Sequence, residues 1–497
     1  MWLTQLLERN RQCFGTRVAL ADTRRSTTWE ELARRVEILA ARLGSRGVQH
    51  GDRVAVLSTE RTEVLETYFA LGRLGALFVP LDPALVPGEV NEITGHAKVV
   101  GVIGERDLLQ RIAHCPDAGT WTLAFEDGLF AIADGTGPTA AHEPDVRSDD
   151  PVAILYTSAT SGHPKGVVVD HRSVKDIALG WLATVATPTD SVLVTCCPLS
   201  HGTVVLALSH LAAGATLVIP GPCPEDIVTA VRQHHATHLW LVPETLRAVL
   251  AHLAAHPGAS LPETLTEVIY GAAPMPVELY AEAARIIGCG FRQVYGLTEA
   301  GGPFVTLGPD EHPDPHGDLP DVLPAGRVIP GMSVRVVGED GRPLPAGHTG
   351  EILVRGDGRM RGYWRDTAAT VAATTAGWLR TGDLGHLDAD GRLYLVDRLT
   401  DLIIRKGRNI YPAEIEHALR KHPAVVDAAV VPLTDKDEGE VPRALVVLRP
   451  GADTTHADLL AHLASTVAAY KVPKDIHVIG ELPRNATGKV QKRLLTA

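Results

Sequence analysis

Between Asp150 and about Glu299, short β-branched runs alternate with stretches of helical spacing, and this alternation limits the possible folds more than any other feature of the chain. The runs are Val192-Leu193-Val194, Thr216-Leu217-Val218-Ile219, His238-Leu239-Trp240-Leu241-Val242 and Glu267-Val268-Ile269-Tyr270, with helical periodicity at 226–231 and 244–250 between them. Nearly continuous apolar strands separated by helices predict βα units around a largely parallel, buried sheet. In such a sheet the functional loops sit at the carboxyl ends of the strands.

One such loop stands out. After Val152-Ala153-Ile154-Leu155 comes Tyr156-Thr157-Ser158-Ala159-Thr160-Ser161-Gly162-His163-Pro164-Lys165-Gly166. Glycine lets backbone N–H groups approach an anion, the hydroxyls donate, and a lysine adds a point charge. The spacing is not that of a Walker loop, because Lys165 is followed by Gly166 and no glycine holds the required earlier position. Taken alone, a cluster of this composition marks an ordinary turn.

Four further segments change that. Val294-Tyr295-Gly296-Leu297-Thr298-Glu299, then Gly377-Trp378-Leu379-Arg380-Thr381-Gly382-Asp383, then Asp397-Arg398, and finally Asn485-Ala486-Thr487-Gly488-Lys489 follow in that order. With the loop at 156–166, they resemble the motifs of the adenylate-forming superfamily of acyl-CoA synthetases, adenylation domains and luciferases. The resemblance runs from Thr28-Trp29-Glu30-Glu31-Leu32 to Lys489 and is closest to the fatty and aryl acid:CoA ligases.

At 497 residues the chain exceeds what one hydrophobic core supports, so at least two domains are expected. The texture changes near Pro324 to short strands and turns, with a hairpin signal at Glu339-Asp340-Gly341-Arg342, and the tail has its own helix and strand alternation. The expected class is α/β. A large N-terminal domain of parallel-rich sheets, residues 1–398, would include a β-rich subdomain over about 324–397, and a small mobile α+β C-terminal domain would span 399–497. A formal charge of -12 argues against a nucleic-acid partner. Six cysteines without a C-x-x-C give neither a disulfide framework nor a zinc spacing. The first ten residues lack a long apolar core, so no signal peptide is expected, and no run of about 18 uncharged apolar residues predicts a membrane span. A cytoplasmic enzyme follows.

The resemblance implies ATP, Mg²⁺ and coenzyme A as cofactors and assigns roles residue by residue. Thr157, Ser158, Thr160, Ser161, Gly162 and Lys165 would hold the β- and γ-phosphates, with Ala159 and Ser161 standing where Gly and Thr are most often found. Thr298 would touch the α-phosphate and Glu299 would hold Mg²⁺, a cation that takes oxygen ligands, often one carboxylate with substrate phosphates. Tyr295, Gly296 and the turn Gly271-Ala272-Ala273-Pro274 would frame the adenine. Asp383 would accept the ribose hydroxyls, assisted by Arg398. Lys489 would neutralise charge at the α-phosphate and the attacking carboxylate. No general base is required, because the carboxylate is already ionised at neutral pH.

For thioester formation the resemblance implies rotation of the tail domain about the position of Thr400, where Asp or Lys is common. A second face, Ile403-Ile404-Arg405-Lys406-Gly407-Arg408-Asn409, would then be presented. Lys406 and Gly407 would line the pantetheine path, and Arg405 or Arg408 would meet the phosphates of CoA. The acyl group would be gated by His201, in Pro198-Leu199-Ser200-His201, with walls from Gly202, Trp240, Val242, Tyr270, Gly271, Leu297 and Gly302. The Phe-Asp pair of amino-acid-activating relatives is missing, which disfavours an amino acid substrate. His234, His235 and His238 lack supporting carboxylates and are not expected to bind metal.

The leading expectation is an acid:CoA ligase acting through a bound acyl adenylate on a small non-amino carboxylic acid. One alternative is an acyl-AMP ligase loading the phosphopantetheine arm of a separate carrier protein, since only eight residues follow Lys489. The others are a catalytically silent nucleotide-binding homologue and a P-loop kinase, the latter disfavoured by the loop spacing.

Overall fold

The computed structural model describes residues 2–112, 120–127, 130, 145–157, 164–185, 187–199, 204–406, 408–435, 438–485 and 488–495. By internal contacts the chain divides into two compact units, Met1–Ser333 with Val354–Leu379, and Val334–Leu353 with Arg380–Ala497.

In the first unit, among the described residues, two large sheets form. The nine-stranded sheet is parallel through its middle, where Glu267–Gly271 lies between His238–Leu241 and Gly290–Leu297, and Val192–Thr195 lies between His238–Leu241 and Thr216–Val218. Antiparallel strands, Gly302–Leu307 and Ser26–Thr28, pair towards its two ends. Helices Pro224–Gln233, Pro243–Ala255 and Val277–Ile287 lie over one face, packing on Val194, Leu239, Leu241, Val268 and Tyr270. Helix Trp29–Ser45 begins with a capping box, Thr28 accepting the Glu31 N–H and Glu31 accepting the Thr28 N–H.

The parallel sheet expected over 150–299 is thus two sheets. Pro151–Thr157 and Lys165–Asp170 form an antiparallel pair that joins a seven-stranded sheet with Leu77–Leu81, Arg53–Leu57, Gly101–Gly104 and Trp121–Ala124. The apolar pattern identifies these residues as buried strand but carries no information about which sheet they enter. That is decided by the pairing of Ala153 with Phe78, far earlier in the chain.

In the second unit Asp383 to Leu387, the end of strand Trp378–Leu387, pair antiparallel with Leu393–Arg398, and Gly338 N–H donates to Arg342 O across the hairpin turn. A further sheet pairs Val425–Asp435 with Gly439–Leu448, to which Asp475–Val478 adds in parallel. Its core of Val430, Ala444, Val446 and Ile403 is closed by Ile415 and Leu419 of helix Pro412–Arg420 and by Leu459 and Leu463 of helix His456–Thr466. The architecture is the α/β class anticipated, with a large N-terminal α/β part and a C-terminal α+β part. Among the described residues no helix is long and apolar enough to cross a membrane.

Candidate active site

Thr157 and Lys165 face each other in register where the hairpin strands end. The residues between them that were expected to grip phosphate, Ser158, Thr160, Ser161 and Gly162 with Ala159, lie outside the described residues, as do His201, Gly202 and Gly407. Gly166 is required by packing, since a Cβ there would lie 2.7 Å from the Ile154 side chain and 3.2 Å from Cβ of Trp364. The Lys165 ammonium stands 5.1 Å from the centroid of the Tyr363 ring.

Glu299 is placed by a reversal of the chain. Strand Gly290–Leu297 ends in a single 3-10 turn, Thr298–Ala300, and then Gly301 and Gly302, at φ 84° and 125°, return the chain antiparallel as Gly302–Leu307. Neither glycine is replaceable at those angles without strain, and a Cβ on Gly301 would come within 2.0 Å of Gly358 O. The half-buried Glu299 carboxylate accepts the Tyr363 hydroxyl at Oε1, 3.1 Å, and its carbonyl accepts Met360 N–H at 2.8 Å. Burial, with the Glu299 charge adding to it, raises the Tyr363 phenol well above its ordinary value, so it remains a donor. Lys165 and Glu299 are therefore brought together through Tyr363. Nothing in the local sequence Gly362-Tyr363-Trp364 marks this tyrosine for a role. Only its pairing opposite Val167 does.

Among the described residues no three His, Cys, Asp or Glu side chains cluster as a metal cage. A single carboxylate with one oxygen already hydrogen-bonded fits a magnesium ion whose other ligands are water and phosphate.

Gly271 closes the neighbouring strand with its Cα facing Val294, and a Cβ there would meet Val294 O at 2.3 Å. Ala272 follows in the left-handed region at φ 63°, a costly conformation for a residue with a Cβ. Ala273 is half-buried in the same turn, and the Tyr295 ring one position beyond Val294 packs edge-on to Phe304 at 5.2 Å. The turn and Tyr295 thus lie side by side at the ends of adjacent strands, with exposed Gly296 and half-buried Leu297 and Thr298 after them.

The expected acyl walls are not all on one side. Leu241 pairs with Tyr270 and Trp240 with Ile269, so Tyr270 and Trp240 point to opposite faces of the sheet. Tyr270 is a core post and not a pocket wall. It is fully buried, its hydroxyl meets Gln293 at 3.1 Å and His312 at 2.8 Å, and its ring packs with Phe291 beneath the helices. Trp240 is 1% exposed and its indole N–H has no partner among the described residues. Val242, Gly271 and Gly302 are buried near the same strand ends. The structure adds Glu60, whose carboxylate accepts the Leu199 N–H at 2.9 Å, just before the segment carrying His201. Burial, with Asp82 and Glu105 nearby, pushes it up to about 7. No local pattern links Glu60 to Leu199.

In the second unit Asp383 and Arg398 face each other across paired strands and form an ion pair at 3.3 Å, Asp383 largely buried and Arg398 half-exposed. Gly382, at φ 71°, turns the strand at this point, and Thr381 Oγ1 accepts the Asp383 N–H at 3.0 Å. Lys489 sits on a tight turn in which Asn485 N–H donates to Lys489 O at 2.9 Å and Lys489 N–H donates back to Asn485 Oδ1 at 2.9 Å. Arg484 secures the turn by bonding both Gly488 O and Asp427. Burial first, and then the Arg398 charge, bring the Lys489 ammonium down to about 8, against the opposing pull of Asp383 and Asp401. Lys489, Asp383 and Arg398 consequently share one electrostatic environment.

On the expected CoA face the two arginines differ. Arg405 is held by Glu438 at 2.5 Å and by Tyr470 O at 2.7 Å, so it is a strut and is not free to meet a CoA phosphate. Arg408 is exposed, its guanidinium 5.1 Å over the Tyr470 ring. Lys406 takes a left-handed φ of 49°, its ammonium 3.9 Å from Glu438. Thr400 donates to Asp401 at 3.2 Å.

A mixed α/β body that aligns a lysine-ended hairpin with a lone carboxylate, followed by an α+β part carrying a partly desolvated lysine, defines an adenylate-forming enzyme. The chain belongs to the AMP-binding enzyme family: the family model matches residues 7–364, and the model of the AMP-binding enzyme C-terminal domain matches residues 414–489. Fatty acid--[acyl-carrier-protein] ligase ScoC of Streptomyces coeruleorubidus is 34% identical over 478 residues, covering 95% of this chain and 91% of that protein. Indoleacetate--CoA ligase of Aromatoleum aromaticum is 33% identical over 503 residues, covering 99% and 97%. The solved o-succinylbenzoate CoA synthetase (MenE) of Bacillus subtilis, in complex with the acyl-adenylate intermediate OSB-AMP, superposes with a TM-score of 0.87 at 28% identity, covering 99% of this chain and 98% of that one.

Proposed function

We propose that this protein is an ATP- and Mg²⁺-dependent acid:CoA ligase of the cytoplasm that activates a non-amino carboxylic acid as its acyl adenylate and transfers the acyl group to the CoA thiol. The observation that carries the reading is the desolvated Lys489 held in the field of Asp383 and Arg398. A cation so placed suits a step in which two anions must approach each other.

In this reading a carboxylate oxygen of the acid attacks the α-phosphorus, the bond to the β-phosphate oxygen breaks, and pyrophosphate leaves. Lys489 neutralises the charge gathering at that phosphorus, and Thr298 donates to the same phosphate. Lys165 with Thr157 meets the β- and γ-phosphates, and Asp383 with Arg398 orients the ribose. Glu299 holds a divalent cation, which when bound supplies charge neutralisation to the triphosphate. The thiol sulfur then attacks the acyl carbon and AMP departs. The division into a domain of residues 1–398 and a mobile domain of 399–497, turning near Thr400, belongs to this proposal, with Lys406 and Arg408 serving the thiol substrate. Trp240, Val242, Gly271, Leu297 and Gly302 remain the proposed acyl walls.

A second reading, transfer to a carrier protein's phosphopantetheine, is favoured by the carrier-protein ligase among the relatives and by Arg405 being tied to Glu438. Pyrophosphate release across aliphatic, aryl and amino acids, with and without CoA and with products identified by mass, tests the proposal. An acyl-CoA and AMP are the expected products. Carrier loading without CoA turnover selects the second reading, and ADP or no pyrophosphate with any acid refutes both. Lys489→Ala is expected to abolish adenylate formation while leaving thioester formation from supplied acyl adenylate intact, and equal loss of both steps contradicts the assignment.

A further inference from the structure

One short segment, residues 358–364, is bonded both to the phosphate hairpin and to the turn carrying Glu299. Gly358 O occupies the space where any side chain at 301 would begin, and Met360 N–H donates to Glu299 O at 2.8 Å. Arg361 N–H then donates to Val168 O at 2.9 Å, Gly362 and Tyr363 pair with Val168 and Val167, and Trp364 N–H donates to Gly166 O at 2.7 Å. The backbone thereby fixes the distance between two sequence-remote groups before any side chain is considered.

The Tyr363 side chain uses that frame. Its backbone is fixed by Thr370, which accepts the Tyr363 N–H at 2.9 Å, and a Cβ on Gly362 would come within 2.8 Å of the Thr370 side chain. From this position the hydroxyl donates to Glu299 Oε1 at 3.1 Å while the ring face lies under Lys165, which makes no ion pair among the described residues. A glutamate on an open turn has three rotatable side-chain bonds, and a hydrogen bond to one oxygen fixes its plane and leaves the other oxygen as a single ligand position. An aromatic face attracts an ammonium without neutralising it, so Lys165 is oriented yet remains available to phosphate.

We propose that Tyr363 is a positioning residue that presents Glu299 to the divalent cation of a metal–nucleoside triphosphate and holds Lys165 beside it, making the cation ligand and the phosphate lysine one preorganised unit. The inference rests on the roles of Glu299 and Lys165 proposed above and deepens them. It implies that the ligand recognised is the metal–triphosphate complex and that metal-free nucleotide does not exploit the Tyr363 hydroxyl.

Calorimetric titration of the full-length protein with ATP, without any acid, in Mg²⁺ and again in EDTA, provides a readout free of turnover. Tyr363→Phe keeps the ring and removes the hydroxyl. It is expected to weaken Mg·ATP binding by about tenfold, the scale of one hydrogen bond to a charged group, and to leave metal-free ATP binding unchanged. Tyr363→Leu, which also removes the ring from Lys165, is expected to weaken both. Adding Tyr363→Phe to Glu299→Ala should cost nothing further, because the two act through one bond. Wild-type Mg·ATP affinity in Tyr363→Phe, or equal loss with and without metal, overturns the positioning role alone when Glu299→Ala shows its own loss. Wild-type Mg·ATP binding in Glu299→Ala overturns the metal role and this inference together.

Discussion

Glu60→Gln should stabilise the first unit, and by an amount that depends on pH. The Glu60 carboxylate is half-buried, accepts one N–H from Leu199 at 2.9 Å, and lies near the negative charges of Asp82 and Glu105, so its pKa is pushed from 4.5 up to about 7. Between those values the native state binds a proton that the unfolded state releases, so unfolding free energy falls as pH rises from about 4.5 to about 7 and is unaffected by this group above and below that window. At about 1.36 kcal/mol for each pH unit across that window, the ionised Glu60 costs about 3 kcal/mol at pH 8. Glutamine carries no charge, and its amide oxygen can still accept the Leu199 N–H. The variant is therefore expected to match the parent near pH 4.5 and to exceed it by about 3 kcal/mol at pH 8. Six of the seven tryptophans lie well inside the first unit and Trp378 stands at its boundary, so urea unfolding followed by tryptophan fluorescence reports chiefly on that unit. Equal stability of variant and parent across pH 5 to 8, or a less stable variant at pH 8, would refute the claim that a desolvated, poorly compensated carboxylate anchors Leu199.

In the role proposed for it Lys489 acts in its charged form, and burial that brings its ammonium down to about 8 is expected to make adenylation sensitive to moderate alkalinity. The kcat/KM for ATP in pyrophosphate release should decline above about pH 8, and a profile level to pH 10 would show that the lysine is not desolvated in the free enzyme. Arg292 and Glu267 form an ion pair at 2.6 Å with side chains only 9% and 10% exposed. Arg292→Ala leaves a buried carboxylate without its counter-charge and is expected to lower stability by about 3–5 kcal/mol in the same fluorescence assay. A loss under about 1 kcal/mol, the value typical of surface pairs, would mean that water reaches Glu267 in the folded protein.

The elements of this fold are written locally. Apolar runs such as Val192-Leu193-Val194 become strands, the spacing at 226–231 and 244–250 becomes helix, and Thr28 with Glu31 caps a helix within one turn, because each of these depends on residues only a few positions apart. The motifs ending in Glu299, Asp383 and Lys489 were legible for the same reason: chemistry at a spacing is a property of the chain, and their order along it pointed to the family. Tertiary structure alone decided the rest. Tyr270 fits the pattern of a strand-end wall, yet its pairing with Leu241 sends it into the core under the helices. Arg405 has the charge to meet a phosphate, but Glu438 and Tyr470 occupy it. Tyr363 carries no sequence signal and is brought to Glu299 and Lys165 by strand pairing with Val167, while Glu60 meets Leu199 across a distance no local pattern encodes. Periodicity and spacing record what a residue can do, whereas its partner is chosen by sheet register and by loops closing over long separations, which depend on the whole chain at once.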